Sequence, residues 1–155
     1  MKKKVLIVYF SATGNTAKIA KAIASVLKAK LKKVQDAKPR DIAKYDLIGF
    51  GSGIYATKPS PALLSFIDKI PCARKKQKAF IFSTRGGGPT WFYHKALRKK
   101  LAEKVFEIAG EFSCKGHDTF WLFNWFGGLN KGKPGKKEVH DAKSFARLLA
   151  SFSKV

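Results

Sequence analysis

Three stretches of the chain are apolar with almost no polar interruption: VLIVYF at 5–10, LIGF within 46–50 and AFIF within 79–83. Short continuous runs rich in β-branched and aromatic residues are the mark of strands covered on both faces. Between them the spacing changes to threes and fours. Over 14–28, Ile19, Ile23, Val26 and Leu27 fall on one helical face, and Lys18, Lys21, Ser25 and Lys28 lie away from it. Ser60-Pro61 predicts a helix start, with a serine cap and proline in the first turn, leading to Leu64, Ile67 and Ile70. Thr90 is placed to cap a helix carrying Leu97, Leu101 and Val105. Residues 138–152 form a last helix with Ala142, Phe145, Ala146 and Leu149 inward. Weaker strand signals lie at 33–37 and 106–114. Strand and helix thus alternate throughout, which predicts one α/β domain over 1–155, with a parallel sheet and right-handed crossovers. The long irregular stretch is 115–137, a length at which loops usually have a function.

In such a sheet, ligands gather beyond the carboxyl ends of the strands. The segments there are SATGNT (11–16), GSGIYATKPS (51–60), STRGGGPTW (83–91) and CKGHDTF (114–120). All four are rich in small or hydroxyl-bearing residues, which points to a polar ligand with an extended footprint. The first opens a helix, so its backbone N–H groups and the helix dipole favour an anion. It lacks the lysine and metal-binding hydroxyl of a triphosphate loop, so a monophosphate held by neutral donors fits better. In the second loop, Gly51-Ser-Gly53-Ile-Tyr-Ala56 has the spacing of a dinucleotide fingerprint. Pro59 and Pro61 delay the following helix, however, and no acid ends a next strand about 20 residues on, which argues against nicotinamide binding.

Strand, Ser11-Ala12-Thr13-Gly14-Asn15-Thr16 and amphipathic helix together resemble the flavodoxin family, whose FMN-phosphate loop reads [ST]-x-T-G-N-T. The strand and helix order along the whole chain is similar too. The resemblance implies a five-stranded parallel sheet of order 2-1-3-4-5 with helices on both faces. It implies FMN, with phosphate contacts from Ser11, Thr13, Asn15 and Thr16, Ala12 among the cofactor-binding residues of the same loop, and close backbone approach at Gly14. Lys18, one turn into the helix, reads as solvent-facing. Ser52, Gly53, Ile54 and Tyr55 would run beside the flavin ring. Thr84, Arg85, Gly86, Gly87 and Gly88 would close on its other side. This last loop departs from the acidic, aromatic loop of the better-known flavodoxins, because it carries Arg85 and its first aromatics come at Trp91 to Tyr93.

Charge changes the picture of partners. Thirty-two Lys and Arg against ten Asp and Glu give +22 at pH 7, and the bases run from end to end rather than forming a tail. Such a field attracts acidic proteins, anionic lipid or nucleic acid. A small electron carrier working with acidic redox proteins, as a monomer or weak dimer, is the expected function. An FMN-dependent reductase or oxidase acting on a quinone or porphyrinogen is the enzyme alternative, and a basic domain binding nucleic acid ranks last. Phe120-Trp-Leu-Phe-Asn-Trp-Phe126 suits a loop folded onto the sheet edge, and also suits a contact with an anionic membrane surface or a quinone. His94, His117 and His140 lack metal-ligand spacing, His117-Asp118 could face the flavin edge, and no Ser/His nucleophile set is evident. Residues 5–10 are too short for a signal peptide's apolar region. Two cysteines make no disulfide framework, so a cytoplasmic location is expected.

Overall fold

A computed structural model describes residues 2–116 and 134–153. The elements are β1 (Val5–Phe10), α1 (Asn15–Leu27), β2 (Lys30–Lys33), two 3-10 turns (Val34–Asp36 and Pro39–Lys44), β3 (Leu47–Tyr55), β4 (Lys58–Pro59), α2 (Pro61–Lys69), β5 (Lys78–Arg85), α3 (Thr90–Tyr93), α4 (Lys95–Glu103), β6 (Glu107–Lys115) and α5 (Lys136–Ser153). The sheet order is β2-β1-β3-β5-β6, with the two-residue β4 folded back antiparallel on β3. The five main strands are all parallel. Counted without β4, the order is the expected 2-1-3-4-5.

Two apolar layers sandwich the sheet. Val5, Ile7, Tyr9, Leu47, Phe80 and Phe82 meet α1 and α5. Leu6, Val8, Ile48, Phe50, Ala79 and Ile81 meet α2 and α4. Alternate residues of one strand serve opposite layers, which is why β1 and β5 read as unbroken apolar runs. Gly49 and Gly51 lie opposite Phe80 and Phe82 in the register. A Cβ at Gly51 would sit 2.0 Å from Phe82 Cζ, and one at Gly49 2.3 Å from Phe80 Cζ. The glycines therefore let two fully buried rings lie across β3. They stand inside a strand, so the fingerprint-like spacing of 51–56 is a packing feature.

Three expectations shift. The second strand occupies 30–33 instead of 33–37. As an edge strand it tolerates exposed lysines, and Val34 leaves it to bury itself in the α2 layer. Thr90 is not a side-chain cap. Pro89 takes the cap position with extended backbone and has no side-chain acceptor, and the helix breaks at His94 into α3 and α4. β3 runs five residues beyond the apolar segment, to Tyr55. Ser60 caps α2 as expected, accepting from the Ala62 amide at 3.2 Å. The last helix buries Ala142, Ala146 and Leu149. Residues 120–126 and His117 lie outside the described residues. No helix among those described is long and apolar enough to cross a membrane.

β6 carries an irregularity opposite Ala79 and Phe80. Before it Ile108 packs on the α2–α4 layer; after it Ala109 and Phe112 pack on the α1–α5 layer, and Gly110 faces Phe145. One extra residue reverses the alternation. It turns Glu111 and Ser113 towards α4.

Candidate functional site

The loops after β1, β3, β5 and β6 converge, and specific bonds join them. Thr16 and Thr84 hydroxyls meet at 2.8 Å, linking the first helical turn to the end of β5. The Ala12 amide donates to the Tyr55 hydroxyl at 3.2 Å, linking the first loop to the second. The Gly116 amide donates to the Arg85 carbonyl at 2.9 Å. A Cβ at Gly116 would lie 3.0 Å from Asn15 Nδ2 and 3.2 Å from Thr84 Cβ, so Gly116 itself sits tightly between the first loop and the third.

The first loop turns on Gly14, whose φ of 89° is left-handed and suits a residue without Cβ. Gly14 is also the N-cap of α1, so that helix start has no cap side chain of its own. Ser11 Oγ partly substitutes, accepting from the amides of Gly14 at 3.1 Å and Ala17 at 3.2 Å. The amides of Thr13 and Thr16 take no protein acceptor among the described residues. Ala12, Thr13 and Gly14 are exposed and Asn15 is partly so. The result is a rim of backbone donors and hydroxyls at the positive end of a helix dipole, suited to a small dianion. Lys18 is exposed, and its Nζ donates to the Pro134 carbonyl at 2.6 Å.

In the second loop, Ser52 is fully buried. Its hydroxyl donates to the Gly53 carbonyl at 2.6 Å and accepts from the Ser60 amide at 2.8 Å. Ser52 thus shapes the loop from inside, while Ile54 and Tyr55 reach its surface. The Tyr55 hydroxyl folds back over Gly53, at 2.6 Å from where a Cβ would stand, and its ring meets Phe10 edge-on at 5.9 Å. Burial raises the Tyr55 phenol above its ordinary pKa, so it stays a neutral hydroxyl at physiological pH. The turn beyond it has φ 48° at Ala56 and 72° at Thr57. Two left-handed central residues are the geometry of a type I′ hairpin, which favours Asn-Gly; a β-branched threonine there is strained. Ala56→Asn with Thr57→Gly is expected to raise stability by about 1–2 kcal/mol, read from thermal melts, and unchanged stability would count against strain at this tip.

In the third loop Thr84 is buried, Arg85 and Gly86 are half-buried, and Gly87 and Gly88 are exposed. The Tyr93 hydroxyl lies against Gly88, 2.1 Å from where a Cβ would stand. Arg85 Nε is buried and has no hydrogen-bond partner among the described residues. A buried, charged donor without an acceptor is costly, so an anionic or carbonyl-rich ligand would relieve it. Trp91 and Phe92 stand exposed beside this loop. His94, at the base of this loop, has partners that sequence reasoning missed. It is fully buried against Ser83 and Glu111, partners brought together by packing, with no fixed spacing to find them by. Among the described residues no cluster of His, Cys, Asp or Glu could hold a metal ion.

The flavodoxin-domain family profile matches residues 6–116. The chain belongs to the flavodoxin-domain family. It is 48% identical over 149 residues to an uncharacterised protein of Methanocaldococcus jannaschii, covering 94% of this chain and 97% of that one. Among solved structures it is similar to oxidised flavodoxin 2 of Bacillus cereus, with TM-score 0.73, 19% identity, and 96% of this chain and 99% of that one covered. It is also similar to a Lactobacillus acidophilus flavoprotein solved in complex with FMN, with TM-score 0.57, 22% identity, and 72% and 93% covered. At these identities the two structures speak for the fold.

Proposed function

We propose that this chain binds FMN and passes electrons between proteins. The observation that carries the reading is the first loop: a helix start without a side-chain cap, amides at Thr13 and Thr16 that take no protein acceptor among the described residues, and an exposed Thr13 beside a half-buried Ser11. Those groups fit a phosphate monoester and offer nothing for a triphosphate's metal. The orphan Nε of Arg85 fits the electron-rich edge of a flavin. When bound, FMN supplies the redox chemistry; the chain's residues hold it, exclude water from it and set its potential. The test is the visible absorption spectrum of protein purified from flavin-replete cells, with calorimetry of apoprotein against FMN. No flavin spectrum and no FMN binding would sink the reading. Turnover of a quinone without a second protein would move it towards a reductase.

The excess of bases supports acidic redox proteins as partners, because a field of this sign speeds encounter with them. Arg85 favours the reduced, more negative state of a bound flavin. One cation at about 8–15 Å and an effective dielectric of about 20 contributes on the order of 1–2 kcal/mol, or several tens of millivolts for one electron. Arg85→Gln is therefore expected to lower the reduction potential by that amount in potentiometric titration. An unchanged potential would remove Arg85 from the electrostatics of the site.

A further inference from the structure

Beneath the third loop lies a chain of side chains that flavin binding leaves unused. Ser83 and His94 stand at the two ends of the 84–93 segment, and Ser83 Oγ lies 2.7 Å from His94 Nε2. His94 Nδ1 lies 2.8 Å from Glu111 Oε1. Arg98 donates to the same carboxylate oxygen at 2.8 Å and, through its other terminal nitrogen, to the Trp91 carbonyl. Ser83 Oγ is also 2.8 Å from Ser113 Oγ. The strand irregularity in β6 is what aims Glu111 and Ser113 at this point. Serine, histidine and glutamate in series have the order of a hydrolytic triad. Ser83 and His94, however, are fully buried, and a nucleophile must touch its substrate.

The acceptors assign the protons. A carboxylate can only accept, so Nδ1 carries the hydrogen and Nε2 the lone pair. Ser83 then donates to Nε2 and accepts from Ser113. The charged groups facing the ring are Glu111 from β6, Arg98 from α4 and Arg85 from β5. Arg98 already pairs with Glu111, so protonation of His94 would add a second positive charge against that one carboxylate, on a ring that is itself fully buried. Protonation would also reverse the Ser83 bond: Nε2–H would donate, and the Ser83 hydroxyl would have to accept it and turn to donate to Ser113. Burial pushes the His94 pKa below its ordinary value of 6.5, Glu111 opposes this, and the two arginines add to the lowering.

We propose that His94 is a positioning residue: its neutral imidazole clamps the two ends of the 84–93 loop together, and protonation releases the clamp. The consequence for FMN affinity rests on the function proposed above; the clamp itself does not. The sign follows from the lowered pKa. Below about pH 6.5 the unfolded or released ring binds a proton that the clamped ring does not. The clamp is therefore at full strength above that pH and is lost as pH falls towards the lower, clamped value.

Nitrogen-15 and amide NMR of the apoprotein tests the clamp directly. The expected result is an Nδ1–H tautomer at neutral pH, with the amide shifts of Gly86, Gly87 and Gly88 titrating at the His94 midpoint. In His94→Gln, which keeps a donor and an acceptor but cannot charge, those glycine shifts should no longer titrate. FMN affinity should fall in the wild type by up to about tenfold per pH unit below that midpoint, the slope for one linked proton. This component should be absent in His94→Gln, where only the ionisation of the phosphate remains. Glycine amides indifferent to the His94 titration, an Nε2–H tautomer, or parallel affinity profiles in both proteins would overturn the proposal. If the NMR results appear as expected and no FMN binds at any pH, the clamp stands and the flavin reading fails. If His94→Gln does not fold, the wild-type titration of the three glycines still decides.

Discussion

Replacing Gly51 with alanine should cost about 3 kcal/mol or more of folding stability. The added Cβ would stand 2.0–2.6 Å from three atoms of the Phe82 ring, distances at which the ring must move. Phe82 is fully buried and stacked on Phe80 at 6.1 Å, and interiors packed this closely have little room to yield. Overpacking of a rigid core usually costs about 1–3 kcal/mol, and complete displacement of a large ring approaches the roughly 3–5 kcal/mol of Phe→Ala. The double-mutant cycle isolates the cause. With Phe82→Leu in place, Gly51→Ala should cost less than about 1 kcal/mol, because the clashing ring is gone. Denaturant melts of the four proteins give the coupling. Additive costs would mean that Gly51 is needed for its backbone and not for the ring across it.

That glycine also shows where the sequence was legible and where it was not. The runs at 5–10 and 79–83 are apolar at every position because both sheet faces are covered, and this pattern survives into the structure almost residue for residue. The order of strands followed from the alternation of elements and from the likeness of Ser11–Thr16 to a known phosphate loop. Gly51 and Gly53 were ambiguous because a glycine's purpose lies in what crosses it. Phe82 is 31 positions away, and no local pattern announces the meeting. His94 was opaque for the same reason: Ser83, Glu111 and Arg98 reach it only after the β6 irregularity reverses which residues face α4. Loop positions were legible as a class, since Gly, Ser and Thr gather where a ligand is expected. Their individual roles were not. Ser52 reads as a ligand-facing hydroxyl, yet the structure uses it to hold the loop's own Gly53 carbonyl and Ser60 amide.

The first loop makes the sharpest demand on chemistry. Riboflavin, which lacks the phosphate, should bind on the order of 10²–10⁴-fold more weakly than FMN. Hydrogen bonds to a charged group contribute roughly 1.5–3 kcal/mol each, and two of them convert to that ratio. The two amides available are those of Thr13 and Thr16, at the positive end of α1. The hydroxyls are not equivalent, and this decides which substitution is informative. Thr16 Oγ1 is buried and bonded to Thr84 Oγ1, so Thr16→Ala would leave Thr84 unpartnered and confuse stability with affinity. Thr13 is exposed, and Thr13→Ala can be made without disturbing the fold. It should weaken FMN by about ten- to a hundredfold, as loss of one such bond implies, leave the melting temperature of the apoprotein unchanged, and have no effect on riboflavin. The loss should be confined to the ligand that carries the phosphate, so calorimetry with both ligands on both proteins reads it as an interaction. If wild-type protein takes up riboflavin and FMN with equal affinity, the loop is an ordinary helix start and the phosphate assignment falls. If Thr13→Ala weakens both ligands alike, the loop touches the flavin's shared parts, and the anion must be held elsewhere.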